Sequence, residues 1–162
     1  MSKSIRRKKP ATRNARKPIR RFEARDAEAV GKILAGSPEA AAWTVKSLEQ
    51  LNKRGELGWV IEEKKRVVGF LVVRDVVAEA EILNLCVAPA RRRAGLAEAL
   101  LTEALAELRR SRVDRLFLEV RESNTPAISF YEKHGFRTNG RRPGYYRDPD
   151  EAAVLMMKEL TG

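Results

Sequence analysis

Val87-Ala88-Pro89-Ala90-Arg91-Arg92-Arg93-Ala94-Gly95-Leu96-Ala97 joins an apolar run to the most regular segment of the 162-residue chain. Within residues 93–110, Ala97, Leu100, Leu101, Ala104, Leu105 and Leu108 recur at the spacing of one helical face, which predicts a long amphipathic helix. The run before it, 79–87 (EAEILNLCV), reads as a strand. The run after it, 114–120 (DRLFLEV), is nearly continuously apolar, as a strand covered on both faces must be. Strand, long helix and strand make a βαβ unit, so the two strands lie parallel. Their junction places three arginines and one glycine at a helix start, where free N–H groups and the positive dipole end favour an anion. A phosphate fits this composition, and so does a basic surface turn. A Rossmann turn would need three glycines where only Gly95 is present, and no Gly-Lys-Ser/Thr follows to make a phosphate loop.

Outward from this unit, residues 19–24 read as a strand, and Asp26 as the N-cap of a helix running to about Leu34 and ending near Gly36. Thr44 caps a second helix over 45–54. Strands at 57–63, 66–75 and 79–87 are joined by short polar links and should pair as an antiparallel meander. Thr125-Pro126 gives a cap followed by proline at the first helical position, and Gly135 ends that helix. Strands near 136–146 and 153–159 complete an α/β single domain, a mixed twisted sheet of about seven strands flanked by about four helices. No internal repeat is present.

Composition narrows the chemistry. With 43% hydrophobic and 34% charged residues the chain falls in the ordinary globular class, and no run approaches the ~18 apolar residues of a membrane span. A single cysteine, Cys86, and a single histidine, His134, exclude a disulfide framework within the chain and a Cys/His zinc site. A Ser-His-Asp or Cys-His nucleophile would have to rely on His134, which favours a mechanism without histidine. The net charge of +11 is lopsided: residues 1–21 hold ten bases and no acid, residues 22–162 hold 23 bases and 22 acids. Residues 1–17 therefore read as a disordered basic arm and residues 18–162 as the folded domain. The arm is either a solvated tail or a weak electrostatic tether to RNA or ribosome. It has no apolar core for a secretory signal and no amphipathic face for a transit peptide, so the expected location is cytoplasmic.

Arg92-Arg93-Ala94-Gly95-Leu96-Ala97 matches the Arg/Gln-x-x-Gly-x-Gly/Ala loop of the GCN5-related N-acetyltransferase (GNAT) family, in the place that family has it. Leu118-Glu119-Val120-Arg121, Asn124, Phe130-Tyr131-Glu132-Lys133-His134-Gly135-Phe136, Pro38–Trp43, Arg142 and Tyr145-Tyr146 resemble its RimI-like subgroup, which acetylates the N-terminal alanine of a ribosomal protein. The resemblance covers roughly residues 18–160 and implies a GNAT-type fold with acetyl-CoA as co-substrate and no metal. It implies that pantetheine lies along a bulged strand at Leu85, Cys86 and Val87, with backbone N–H near Cys86 polarising the thioester carbonyl. The pyrophosphate is implied to rest on Arg92, Arg93, Ala94, Gly95, Leu96, Ala97 and Glu98. Asn124 resembles the asparagine that bonds the cofactor, and it also reads as a helix cap. Tyr131 resembles the general acid, with an ordinary phenol near ~10 set against a thiol near ~8.5, and it also reads as a core aromatic with a satisfied hydroxyl. Glu119 resembles the general base, helped by burial or a water relay, and it also reads as an exposed strand carboxylate. Trp43, Arg142, Tyr145 and Tyr146 would lie at the acceptor, although their basic and aromatic character also reads as an RNA patch. Cys86 is expected to be simply buried, and His134 to face the helix dipole without catalysis.

An N-terminal amine is the easier acceptor, since a group at ~8 is about one-fifth neutral at pH 7.4 and a lysine at ~10.4 about one part in a thousand. The amine chemistry favours a protein N-terminus, and the resemblance implies the N-terminal alanine of a ribosomal protein. The alternatives are a small-molecule amine, a lysine side chain, or an RNA- or ribosome-binding module that uses the arm.

Overall fold

The computed structural model describes residues 18–161. The arm read at 1–17 lies outside the described residues. Seven strands form one sheet: β1 (Ile19–Arg21), β2 (Glu56–Glu63), β3 (Arg66–Val76), β4 (Glu79–Val87), β5 (Arg115–Arg121), β6 (Arg137–Tyr146) and β7 (Glu151–Glu159). Four helices flank it: α1 (Ala27–Ala35), α2 (Val45–Glu49), α3 (Leu96–Arg110) and α4 (Thr125–Lys133). The strand order is β1-β2-β3-β4-β5-β7-β6, antiparallel throughout except for the parallel β4–β5 pair that α3 connects. The meander, the βαβ unit and the mixed seven-stranded sheet expected from the sequence are all present.

Several boundaries differ from expectation. β1 stops at Arg21 because Asp26 turns the chain: its carboxylate accepts from both Nη atoms of Arg20 at 2.8 Å and from the Glu23 N–H at 2.8 Å. That carboxylate is therefore not a side-chain cap for α1, which begins only after a 3-10 turn at Ala24–Asp26. The second helix is short, with Thr44 Oγ1 accepting from the Ser47 N–H at 3.1 Å and a separate 3-10 turn at Leu51–Lys53. α3 starts at Leu96 rather than at 93, since Arg93 (φ 61) and Gly95 (φ 74) hold left-handed conformations no helix continues through. Asn124, not Thr125, caps α4: its Oδ1 accepts from the Ala127 N–H at 3.3 Å. β7 starts at Glu151, two residues early, because that carboxylate binds Arg121 and the Ser123 N–H.

The sheet divides the core. The stripe on α3 packs with Leu116, Leu118, Val120 and Met156 on one face, and α1 and α2 pack with Val60, Phe70, Val72 and Cys86 on the other. Leu101 is fully buried in the first cluster, so Leu101→Ala is expected to cost about 2–5 kcal/mol, read as a lower urea midpoint at unchanged slope.

Two irregularities in β4 shape the site. Its register with β3 jumps from Val73↔Ile82 to Val72↔Asn84, so Leu83 is an extra residue, a bulge. A one-residue slip exchanges faces: Ile82 packs toward α3, and Cys86, an even number of residues on, packs toward α1. The sequence reading put this bulge nearer Cys86. Beyond it β4 and β5 part: their pairing ends at Ile82↔Leu118, although β4 stays paired to β3 through Val87 and β5 to β7 through Arg121. The sheet thus opens between its two parallel strands.

Candidate active site

One side of the opening is a cleft of about 710 Å³. Leu85, Cys86 and Val87 form its floor, the Arg93–Glu98 stretch one wall, and Asn124, Phe130 and Tyr131 of the α4 region the other. The first bond within α3, from the Ala99 N–H to the Gly95 carbonyl at 3.1 Å, leaves Leu96, Ala97 and Glu98 among the amides without a helical partner. The three arginines have different neighbours. Arg91 pairs with Glu63 at 2.6 Å and 2.9 Å. Arg92 is bound by Glu39 at 2.5 Å, Ser37 Oγ at 3.0 Å and the Val87 carbonyl at 3.3 Å. Arg93 has no side-chain partner among the described residues.

The other side is a cavity of about 800 Å³, reached by Trp43, Asn84, Glu119, Asn124, Tyr131 and Tyr145. Glu119, on β5 just where the strands part, is held by Arg142 Nη1 at 3.2 Å and accepts a hydrogen bond from the Tyr145 hydroxyl. Its side chain is 19% exposed, so it is not a freely solvated strand carboxylate. The bond to Glu119 raises the Tyr145 pKa, and burial, reinforced by the Glu119 charge, pushes Tyr146 up to about 12. The two phenol rings stack edge to face at 5.0 Å, with Arg142 5.6 Å from the Tyr145 ring.

Tyr131 lines both spaces. Its ring is gripped edge-on by Phe130 at 5.2 Å and Phe136 at 5.3 Å, and the residue is 8% exposed. Its hydroxyl has no hydrogen-bond partner among the described residues, so it is not the satisfied core aromatic that the sequence also allowed. Burial raises its pKa well beyond the ordinary phenol range, which corrects the expectation of an unperturbed acid. The ring is buried, while the hydroxyl opens onto the two cavities and is free to bond what enters them.

Burial likewise raises the Cys86 thiol, in keeping with a packed rather than reactive cysteine. His134 donates through Nδ1 to the Phe130 carbonyl at 2.7 Å and lies 3.6 Å from Glu98. Among the described residues no cluster of His, Cys, Asp or Glu is arranged to hold a metal, and no helix is long and apolar enough to cross a membrane.

Two residues at the site escaped the sequence reading. Asn84 is buried beside the bulge and donates to the Ala41 carbonyl at 3.1 Å. A lone amide inside the apolar run EILNLCV was the available signal. Arg121 holds the β6–β7 connection through the Arg147 carbonyl at 3.2 Å, the Pro149 carbonyl at 3.3 Å and Glu151 at 3.2 Å, and lies 4.4 Å from the Tyr146 ring. Nothing local to its sequence position announced these partners.

An opened strand pair offers unpaired backbone groups to an extended arm, and the helix start beside it offers amides to a pyrophosphate. Together they suit an acyltransferase whose donor is a thioester of a nucleotide. The Acetyltransferase (GNAT) family profile matches residues 19–136, and the chain belongs to this family of N-acetyltransferases, which use acetyl-CoA. The ribosomal protein bS18-alanine N-acetyltransferase of Escherichia coli K12 is 34% identical over 119 residues, 72% of this chain and 80% of that one. The Haemophilus ducreyi protein of that name is 36% identical over 111 residues, 65% of this chain and 77% of that one. In structure, the E. coli ribosomal-protein-S18-alanine N-acetyltransferase superposes with a TM-score of 0.80 at 31% identity, covering 90% of this chain and 94% of that one. Ard1 from Thermoplasma volcanium gives 0.82 at 30% identity over 91% of this chain and the whole of that one. The fold and family implied by the Arg92–Ala97 loop therefore hold.

Proposed function

We propose that this enzyme acetylates the α-amine of a protein N-terminus, the acceptor being the N-terminal alanine of ribosomal protein S18, in the cytoplasm. The reading is supported by the names of its relatives and, above all, by the unpartnered Tyr131 hydroxyl lining the same cavity as Glu119 where β4 and β5 part. Acetyl-CoA supplies the acetyl group already activated as a thioester. The Leu85–Val87 edge and the amides of Arg93–Glu98, with the Arg93 charge beside them, would hold it; the Asn124 amide, beyond its capping bond, faces the same cleft. Glu119 takes the proton of the acceptor ammonium, directly or through a water, and Tyr131 Oη provides a proton at the departing sulfur. Arg142 and Tyr145 fix the Glu119 carboxylate, and Trp43 with Tyr146 walls the acceptor side. Positioning both substrates for direct transfer provides much of the rate.

Cells lacking the gene provide the test. Mass spectrometry of their protein N-termini is expected to show loss of the acetyl group from the alanine of S18 and few other losses. An unchanged N-terminal acetyl pattern would overturn the acceptor.

A further inference from the structure

The segment between α1 and α2 has little regular structure, yet it is fastened at several points. Ser37, 1% exposed, donates its hydroxyl to the Ile33 carbonyl at 2.9 Å, and its oxygen accepts from Arg92 Nη2 at 3.0 Å. The same nitrogen lies 2.5 Å from Glu39 Oε1, and Arg92 Nε donates to the Val87 carbonyl. Farther along, Ala41 is tied to the bulge by Asn84, and Thr44 caps α2. Arg92 thus grips β4 at the floor of the donor cleft and, across it, the segment that carries Trp43 into the acceptor cavity. Its neighbour in sequence is Arg93, the one loop arginine without a side-chain partner among the described residues and the start of the amide run. A planar guanidinium, unlike an ammonium, can hold an oxygen on each side of the fork in fixed geometry.

We infer that Arg92 is a positioning residue that clasps Ser37 and Glu39, so that seating CoA on the Arg93–Glu98 loop orders the acceptor wall and the two substrates bind with positive coupling. The inference rests on the reading that residues 38–43, which line the cavity beside Glu119, wall the acceptor site. Coupling of this kind is reciprocal: whatever CoA does for acceptor affinity, the acceptor does for CoA.

The test uses the full chain, CoA as probe and an alanine-terminated peptide as acceptor. Glu39 and Ala40 also line the donor cleft, where CoA can cover them directly, so hydrogen exchange is read at the amides of 41–44, where it is expected to slow when CoA binds the wild type. Glu39→Gln, at a side chain 38% exposed and so tolerant of change, is expected to abolish that slowing while leaving the CoA Kd within about twofold. Glu39→Gln and Arg92→Gln should each raise the acceptor KM about 5–10-fold with kcat within about twofold, and the double variant should be no worse than Arg92→Gln alone. Should Arg92→Gln weaken CoA tenfold while Glu39→Gln moves neither exchange nor KM, Arg92 is a donor ligand and the clasp is refuted. Thermal melting identifies a misfolded Arg92→Gln, in which case Glu39→Gln decides alone. A wild type that binds no CoA sinks the donor reading and the clasp with it. Exchange that responds to CoA as described, with the peptide left unacetylated, upholds the clasp and sinks only the choice of acceptor.

Discussion

Tyr131→Phe is expected to lower kcat by about 10²–10⁴-fold while changing the CoA Kd by less than about threefold. The substitution keeps the ring, and with it the edge contacts to Phe130 and Phe136 that fix its place on α4. It removes only an oxygen with no partner among the described residues, so no internal hydrogen bond is lost and the melting temperature should hold or rise slightly. On the proposed mechanism only the proton donor disappears. The same reasoning fixes a pH profile. Burial disfavours the phenolate and raises the Tyr131 pKa, so the acid keeps its proton through and beyond pH 10. In the wild type kcat/KM should rise with pH as the acceptor amine, near ~8, loses its proton, and should show no descending limb before pH 10. A limb falling with a midpoint near 9 would mean that a different group is the acid. A Tyr131→Phe variant of normal turnover would remove the residue from the chemistry.

Glu119→Gln has the second largest expected effect, about a hundredfold loss of kcat/KM at pH 7. Gln keeps an acceptor for the Tyr145 hydroxyl but no longer has charge for Arg142 or basicity for the incoming amine. Its deficit should therefore depend on pH. Below ~8 the acceptor is mostly protonated and needs a base; above it the amine arrives neutral, and the gap between variant and wild type should shrink. A deficit constant from pH 6 to pH 10 would make Glu119 a structural partner of Arg142 instead of a base. Steady-state rates with an alanine-terminated peptide at saturating acetyl-CoA are sufficient to tell.

What the sequence disclosed and what it concealed divide along a physical line. The α3 stripe, the strand runs and the Gly135 stop are set by neighbours a few residues away, and all are present. So is the Arg92–Ala97 loop, whose glycine adopts the left-handed turn its lack of a side chain permits. The Leu83 bulge was hidden because a bulge is defined by the partner strand: nothing in EILNLCV says that Val72 and Val73 will skip one residue of it. The opening of β4 from β5 was hidden for the same reason, since it is a pairing that stops rather than a residue that stands out. Site residues were legible by type and not by partner. Arg92 read as charge for a phosphate, yet its guanidinium is committed to Ser37 and Glu39, more than fifty residues away in sequence. Tyr131 read as an acid on the family resemblance, with a core aromatic as the alternative, and only the fold shows that its hydroxyl has no partner among the described residues and faces both cavities.

The most direct measurement mixes the purified protein and acetyl-CoA with two peptides, one presenting a free N-terminal alanine and one with a blocked N-terminus and an internal lysine, followed by mass spectrometry. Acetyl groups accumulating on the alanine amine, with release of CoA and almost none on the lysine, is the predicted result. Equal or preferential labelling of the lysine, or no labelling of either peptide although CoA binds, would contradict the account.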